Sequence, residues 1–238
     1  MKFKRLINRK EIYKGIELWN KLVTSFEIDE RLVEQNIFAP YAGVNVICWG
    51  AYQEDNLVGF GVIKYLTQPI DNYTDESLGW VSLLIVDKEL EDDKQVYKSL
   101  LAQLEKDLLK KGVSRIRFGG DPQNFLPGLP VELKEDYLEL LLESGYENTS
   151  LEYDLYRDIS DFPISDRVED MAIKYGDELT ASPVDKDEEG DLLDFLEENF
   201  PGRWSYEAEN IKRIPGGVED YWMLRYKGQP VGFVRINR

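Results

Sequence analysis

A chain of 238 residues is long enough for one large or two small domains, and its 42% hydrophobic and 32% charged residues are ordinary for a globular protein. Its net charge of −17 argues against nucleic acid and against an anionic membrane surface as partners. There is no histidine, so Ser-His-Asp and Cys-His mechanisms and imidazole zinc sites drop out. Proton transfer is left to a carboxylate, a tyrosine, a lysine, a terminus or water.

No apolar run reaches the ~18 residues of a membrane span, and Met1-Lys2-Phe3-Lys4-Arg5 lacks the apolar stretch expected of a signal peptide. The expected compartment is the cytoplasm. The single cysteine, Cys48, lies in an apolar stretch and reads as a small buried residue.

Lys2 to Ile7 alternates charge with apolarity and predicts a first strand. Asn8 is placed to cap a helix running to about Thr24, with Ile12, Ile16, Trp19, Leu22 and Val23 on one face. A short helix follows Asp29 and ends before Pro40. Val44 to Gln53 and Leu57 to Tyr65 read as a hairpin about the polar turn Glu54-Asp55-Asn56. Gly79 to Val86 is continuously apolar, hence a central strand. A helix from about Lys94 repeats Val96, Leu100, Leu101, Leu104 and Leu108, and Ser114 to Phe118 forms the next strand. Leu133 to Ser144 is helical and stops at Gly145, and Thr149 to Tyr156 is expected to be the last strand of this unit. The order β-α-α-β-β-β-α-β-α-β describes an α+β fold with a mixed, mostly antiparallel sheet and one βαβ crossover.

Asp158 to Asp166 reads as a linker, dividing the chain into a domain at 1–160 and a partial domain at 161–238. In the second part Glu178 to Val184 is strand-like and Glu188 to Phe200 helical. Tyr221 to Tyr226 and Pro230 to Ile236 form a hairpin about Lys227-Gly228-Gln229. Val58-Gly59-Phe60 and Val231-Gly232-Phe233 sit on the outgoing strands of the two hairpins, 173 positions apart (231 − 58), which points to an internal duplication. The hairpin's last strand, with Val231, Phe233 and Ile236, would leave an open edge. It is expected either to pack on the first unit's sheet or to pair with another chain as a homodimer.

Three stretches carry a family likeness. Leu100-Leu101, Leu104 and Lys111-Gly112-Val113 form one, and Glu143-Ser144-Gly145-Tyr146-Glu147 a second. The third is the run from Gly119 to Pro130, together with Phe200-Pro201-Gly202-Arg203-Trp204. In these the chain resembles the GNAT superfamily of acetyl-CoA-dependent N-acetyltransferases, and the repeat resembles its tandem members with an incomplete second domain. The resemblance implies acetyl-CoA as cofactor and acyl transfer to a small-molecule or peptide amine. It further implies a carboxylate or water taking the amine proton, with a strand N–H near Ile85 and Val86 polarising the thioester carbonyl. The family's coenzyme loop falls on Lys94, Gln95, Val96 and Tyr97. Here the two glycine positions are Gln95 and Tyr97, and the arginine position is Asp92. A glycine-free loop bearing Asp92 and Asp93 opposes pyrophosphate. A like-charge contact at ~4 Å and an effective dielectric of 20 costs about 4 kcal/mol, against roughly 0.3–2 kcal/mol from a helix N-terminus. The alternative is therefore a non-catalytic GNAT-fold binding or regulatory module.

Where many members of that family carry an acid tyrosine, four residues before Gly145, this chain has Leu141. Tyr137 lies one turn earlier and is a weak catalytic candidate, as is Asp121; otherwise Tyr137 is an ordinary amphipathic-helix residue. Asp121, Asn124 and Phe125 leave a strand end in a stiff Gly/Pro-rich loop where ligands bind, or else the loop is a rigid turn capping the core. Arg203 and Trp204 offer a cation and a flat aromatic to an acidic or sugar-like ligand, or else mark a helix stop with Arg203 paired to Glu207 or Glu209. The acidic run Asp185 to Glu189 and the pair Glu197-Glu198 match no calcium loop and read as solvated surface, so no metal is expected.

Overall fold

A computed structural model describes residues 1–153, 155, 157–158, 160–210 and 217–236. The chain divides into two compact units, Met1–Leu151 and Glu152–Arg238.

In the first unit β1 (Lys2–Leu6), β2 (Val44–Gln53), β3 (Asn56–Leu66), β4 (Leu78–Val86) and β5 (Arg115–Phe118) form one sheet in sequence order. Its first four strands are antiparallel, while β4 and β5 run parallel. The parallel step needs a crossover, supplied by helix α3 (Asp93–Leu109). Helix α1 (Arg9–Leu22) starts where the Asn8 side chain accepts from the Lys10 N–H. It packs its Gly15 against the ring of Phe60. The other face of β3 carries Gly59 and Gly61, where Leu100 and Leu104 of α3 come close enough that a Cβ would crowd them. Alternation along β3 thus puts α1 and α3 on opposite faces of the sheet. Helix α2 (Glu30–Val33), capped by Asp29, runs on into a π-helical turn at Glu34–Phe38. Helix α4 (Val131–Glu143) ends the first unit's regular structure.

The strand expected at Thr149 to Tyr156 is not found among the described residues: 149–153 and 155 carry no regular structure, and Asp154 and Tyr156 lie outside them. Leu151, Tyr153 and Leu155 alternate as a strand should, yet all three are exposed. A strand persists only where its backbone groups find a ladder, and the four-residue β5 at the sheet's edge offers little length to pair.

The second unit holds α5 (Asp166–Tyr175), β6 (Leu179–Pro183), α6 (Glu189–Asn199), α7 (Arg203–Glu209), β7 (Tyr221–Tyr226) and β8 (Gln229–Arg235). Its sheet is antiparallel in the order β6-β7-β8. Both α5 and α7 are absent from the sequence-based expectation. Helix α5 starts where the expected linker, Asp158 to Asp166, ends, and none of its residues is buried.

The two hairpins share their register to the residue. In the first, Ala51 faces Gly59 and Tyr52 faces Leu57, leaving Val58 as the extra residue of a β-bulge. In the second, Leu224 faces Gly232 and Arg225 faces Pro230, leaving Val231 as the extra residue. The ladders close on the pairs Gln53–Asn56 and Tyr226–Gln229, and both turns begin on a side-chain-bearing residue with positive φ, Glu54 and Lys227.

Candidate functional site

The parallel ladder between β4 and β5 ends early. Val81 faces Phe118, and the Gly119 N–H donates to the Val81 carbonyl at 2.9 Å. The next β4 residue, Ser82, is unmatched on β3, because Leu83 faces Val62 and Val81 faces Ile63. The two parallel strands therefore part at a bulge. Ser82 is buried in the apolar run, and its hydroxyl has no hydrogen-bond partner among the described residues. A lone serine between Val81 and Leu83 was the available sequence signal. Ile85 and Val86, the expected carbonyl-polarising positions, lie three and four residues further along β4 and are fully buried.

The head of α3 is the next component. Lys94 and Gln95 are exposed there, whereas Val96 and Tyr97 are buried. The Lys94 N–H donates to the Asp93 carboxylate at 2.7 Å, so a protein anion already sits at this helix start. The Tyr97 ring stacks on Tyr137 from α4, with centroids 4.0 Å apart and planes 8° from parallel. Both tyrosines are fully buried, and the Tyr137 hydroxyl reaches the Val86 carbonyl at 3.5 Å. Burial pushes both phenols well above their ordinary range, and the Asp93 and Asp136 carboxylates raise Tyr137 further. The aromatic pair seals α3, α4 and the end of β4 together. The anion position at the start of α3 is taken by the Asp93 carboxylate, and the side chain at Tyr97 is locked in the core. The head of α3 thus does not fit coenzyme A bound on helix-terminal N–H groups.

Asp121 belongs to a different arrangement. Gly119 and Gly120 both adopt positive φ, turning the chain sharply at the end of β5; a Cβ on Gly119 would lie 2.5 Å from the Gly128 nitrogen. This turn carries Asp121 to Lys64 on β3, where the ammonium donates to Asp121 Oδ1 at 3.0 Å and to Asn36 Oδ1 at 2.9 Å. Lys64 and Asp121 are both fully buried. Burial lowers the Lys64 pKa, and the Asp121 charge opposes that shift. Asp121 Oδ1 also accepts from the Gln123 N–H, and the Gln123 side chain donates to the Gln35 carbonyl in the π-helical turn. Phe125 lies beside Lys64, 5.2 Å from ammonium to ring centroid. Asp121 and Phe125 are thus brought together inside the protein, while Asn124, at positive φ, is exposed. Lys64 is the residue that sequence reading missed: in an alternating strand it passes for a solvent-facing position.

Cys48 is buried, and desolvation raises its thiol to about 12, so it is no nucleophile at neutral pH. Among the described residues no group of His, Cys, Asp or Glu could hold a metal ion.

Arg203 and Trp204 open α7. Trp204 is half exposed with its ring edge-on to Phe233, 5.5 Å between centroids. Phe200 is also exposed and lies 5.2 Å from Phe233. Glu207, one of the two expected partners of Arg203, is paired with Arg235.

An antiparallel sheet with one parallel step, two strands parting at a bulge and a crossover helix on a file of glycines is the fold of GCN5-related N-acetyltransferases. A GCN5-related glucosamine N-acetyltransferase region of a fungal multi-domain GH3 β-N-acetylglucosaminidase superposes on 98% of this chain with a TM-score of 0.75 at 16% identity. The chain spans 27% of that longer protein. Two other solved structures match 66% of this chain. One is an aminoglycoside acetyltransferase from an uncultured soil metagenomic sample, in complex with sisomicin (18% identity, 96% of its length, TM-score 0.44). The other is a ribosomal-protein-alanine N-acetyltransferase from Brucella melitensis biovar Abortus 2308 (16% identity, its full length, TM-score 0.45). No family model and no curated protein matches the chain.

Proposed function

We propose that the protein is a tandem GNAT-fold protein of the acetyl-CoA-dependent N-acetyltransferase class, acting on an amine. Its first unit serves as a scaffold and does not itself hold coenzyme A. The observation that carries the scaffold reading is the buried Tyr97–Tyr137 stack at the head of α3. The tandem reading is supported by the matching bulge registers at Val58 and Val231. Likeness over nearly the whole chain to a region described as a glucosamine N-acetyltransferase makes an amino sugar the acceptor class to try first. A half-exposed Trp204 beside Phe233 is compatible with a sugar face. Fold alone does not carry an activity.

The second reading, a non-catalytic module, is favoured by the same stack. Incubation with acetyl-CoA and glucosamine, followed by mass spectrometry, separates the two. A product heavier by one acetyl group supports transfer, and its absence at millimolar substrate supports the module. Calorimetric titration with acetyl-CoA tests the scaffold reading. Binding by the first unit is expected to be weaker than ~100 μM, equivalent to less than about 5.5 kcal/mol. A low-micromolar constant lost on substitution at Lys94 or Gln95 would refute it.

A further inference from the structure

Trp80 Nε1, Ser82 Oγ, Gln35 Nε2, Asp121 Oδ2 and Gln123 Oε1 are all buried in the first unit without a hydrogen-bond partner among the described residues. The strand register gathers them on one face of the sheet. Lys64 stands on the α1 side of β3, in alternation with Val62 and Phe60. Trp80 is its partner on β4, so the two side chains share that side. Ser82 and Leu83 together stand against Val62, which keeps Ser82 there as well. Asp121 comes from the end of β5 and reaches Lys64 on β3, so its loop crosses β4 over Trp80 and Ser82. Gln123 Nε2 then donates to the Gln35 carbonyl at 2.6 Å and draws the π-helical turn over the same spot. Native folds leave few buried polar groups unpaired, and π-helical turns often mark functional sites.

We propose that this place is a closed binding chamber for a small, uncharged polyhydroxy compound. The Trp80 indole, the Ser82 hydroxyl and the Gln35 amide offer N–H and O–H donors, while Asp121 Oδ2 and Gln123 Oε1 accept. A hydroxyl both donates and accepts, so a few of them answer the whole set. An anion would face the two acceptors, and a cation would face the donors. The one carboxylate already has the Lys64 ammonium at 3.0 Å, so the chamber carries no net charge to attract an ion. Entry requires the loop at 119–130 to lift from the π-helical turn, parting Gln123 from Gln35. The inference rests on the packing of the first unit and not on acetyl transfer, whose acceptor is an amine.

Nuclear magnetic resonance of isotope-labelled protein reads the result at the assigned indole N–H signal of Trp80. Glycerol or glucose is expected to shift that signal saturably below about 100 mM, and methylammonium and acetate are expected to leave it in place. Ser82→Ala and Gln123→Ala should each weaken the binding by about tenfold, with the other indole signals unmoved. Ser82→Ala removes only an unpartnered hydroxyl, so it should fold as the wild type does. A Trp80 signal indifferent to glycerol and glucose alike would mean that water alone fills the chamber, and the proposal would fall. It would fall equally on a saturable response to methylammonium or acetate, or on binding that neither variant weakens. Acetylation of glucosamine with a silent Trp80 sinks the chamber and leaves the transfer reading intact; a responding Trp80 without acetylation does the reverse.

Discussion

Tyr97 lies flat on Tyr137, 4.0 Å from centroid to centroid, and ties the head of α3 to α4. The hydroxyl of Tyr97 is buried with no hydrogen-bond partner among the described residues. An unpaired buried hydroxyl costs roughly 1–3 kcal/mol of desolvation. Tyr97→Phe should therefore leave stability unchanged or raise it by about 1 kcal/mol, while Tyr97→Ala should lose about 3–5 kcal/mol to the cavity. Urea denaturation of the three proteins checks the order. A Tyr97→Phe variant less stable than the wild type by more than about 1 kcal/mol would show that the hydroxyl has a partner.

Lys64 and Asp121 make the second prediction. Removing one member of a fully buried ion pair strands the other charge, at a cost of about 3–5 kcal/mol, while replacing both with apolar residues is often neutral. Lys64→Met and Asp121→Leu are each expected to lower stability by that amount, and the double variant should recover most of it. Additive losses in the double-mutant cycle would contradict the pairing.

That pair also shows where sequence reading runs out. Strands Lys2–Leu6 to Val86, the hairpin turn and the crossover helix were legible because each depends on neighbours a few residues away: an alternation, an Asn cap, a turn, a repeat of leucines. Lys64 and Asp121 are 57 residues apart and meet only because Gly119 and Gly120 turn the chain back. Tyr97 and Tyr137 are each ordinary helix residues until α3 and α4 pack. The departure at Thr149 to Tyr156 has the converse cause: alternation is present, and among the described residues no ladder partner is.

Acid should weaken the first unit through its surface pairs. The Arg9 guanidinium holds the Glu34 carboxyl below its ordinary 4.5, and the Lys4 ammonium does the same for Glu11. A carboxyl whose pKa is depressed on folding contributes stability above its unfolded pKa and loses it as pH falls through the folded one. The melting temperature should thus decline as pH drops below about 4.5, and Glu34→Gln should soften the decline. Both pairs are largely exposed, so the effect is small and shrinks in high salt. A decline that starts at pH 6 and ignores the substitution would assign it to other groups.

Two helix glycines should respond in opposite directions to the same change. Alanine in place of glycine in a helix gains up to about 1 kcal/mol. At Gly190 in α6 a new Cβ meets nothing within 4 Å, so Gly190→Ala should stabilise by about 0.4–1 kcal/mol. At Gly15 in α1 it would lie 2.3 Å from the Phe60 ring, which is fully buried between α1 and the sheet and has nowhere to move. Overpacking a filled core costs roughly 1–3 kcal/mol, more than the helix gains, so Gly15→Ala should be net destabilising. Phe60→Leu opens space beside the new methyl, so the loss from Gly15→Ala should shrink in that background. Urea midpoints for the two single variants and the Gly15→Ala/Phe60→Leu pair decide the matter. Additivity of the last two, or a stabilising Gly15→Ala, would mean that α1 does not press on β3 at Phe60.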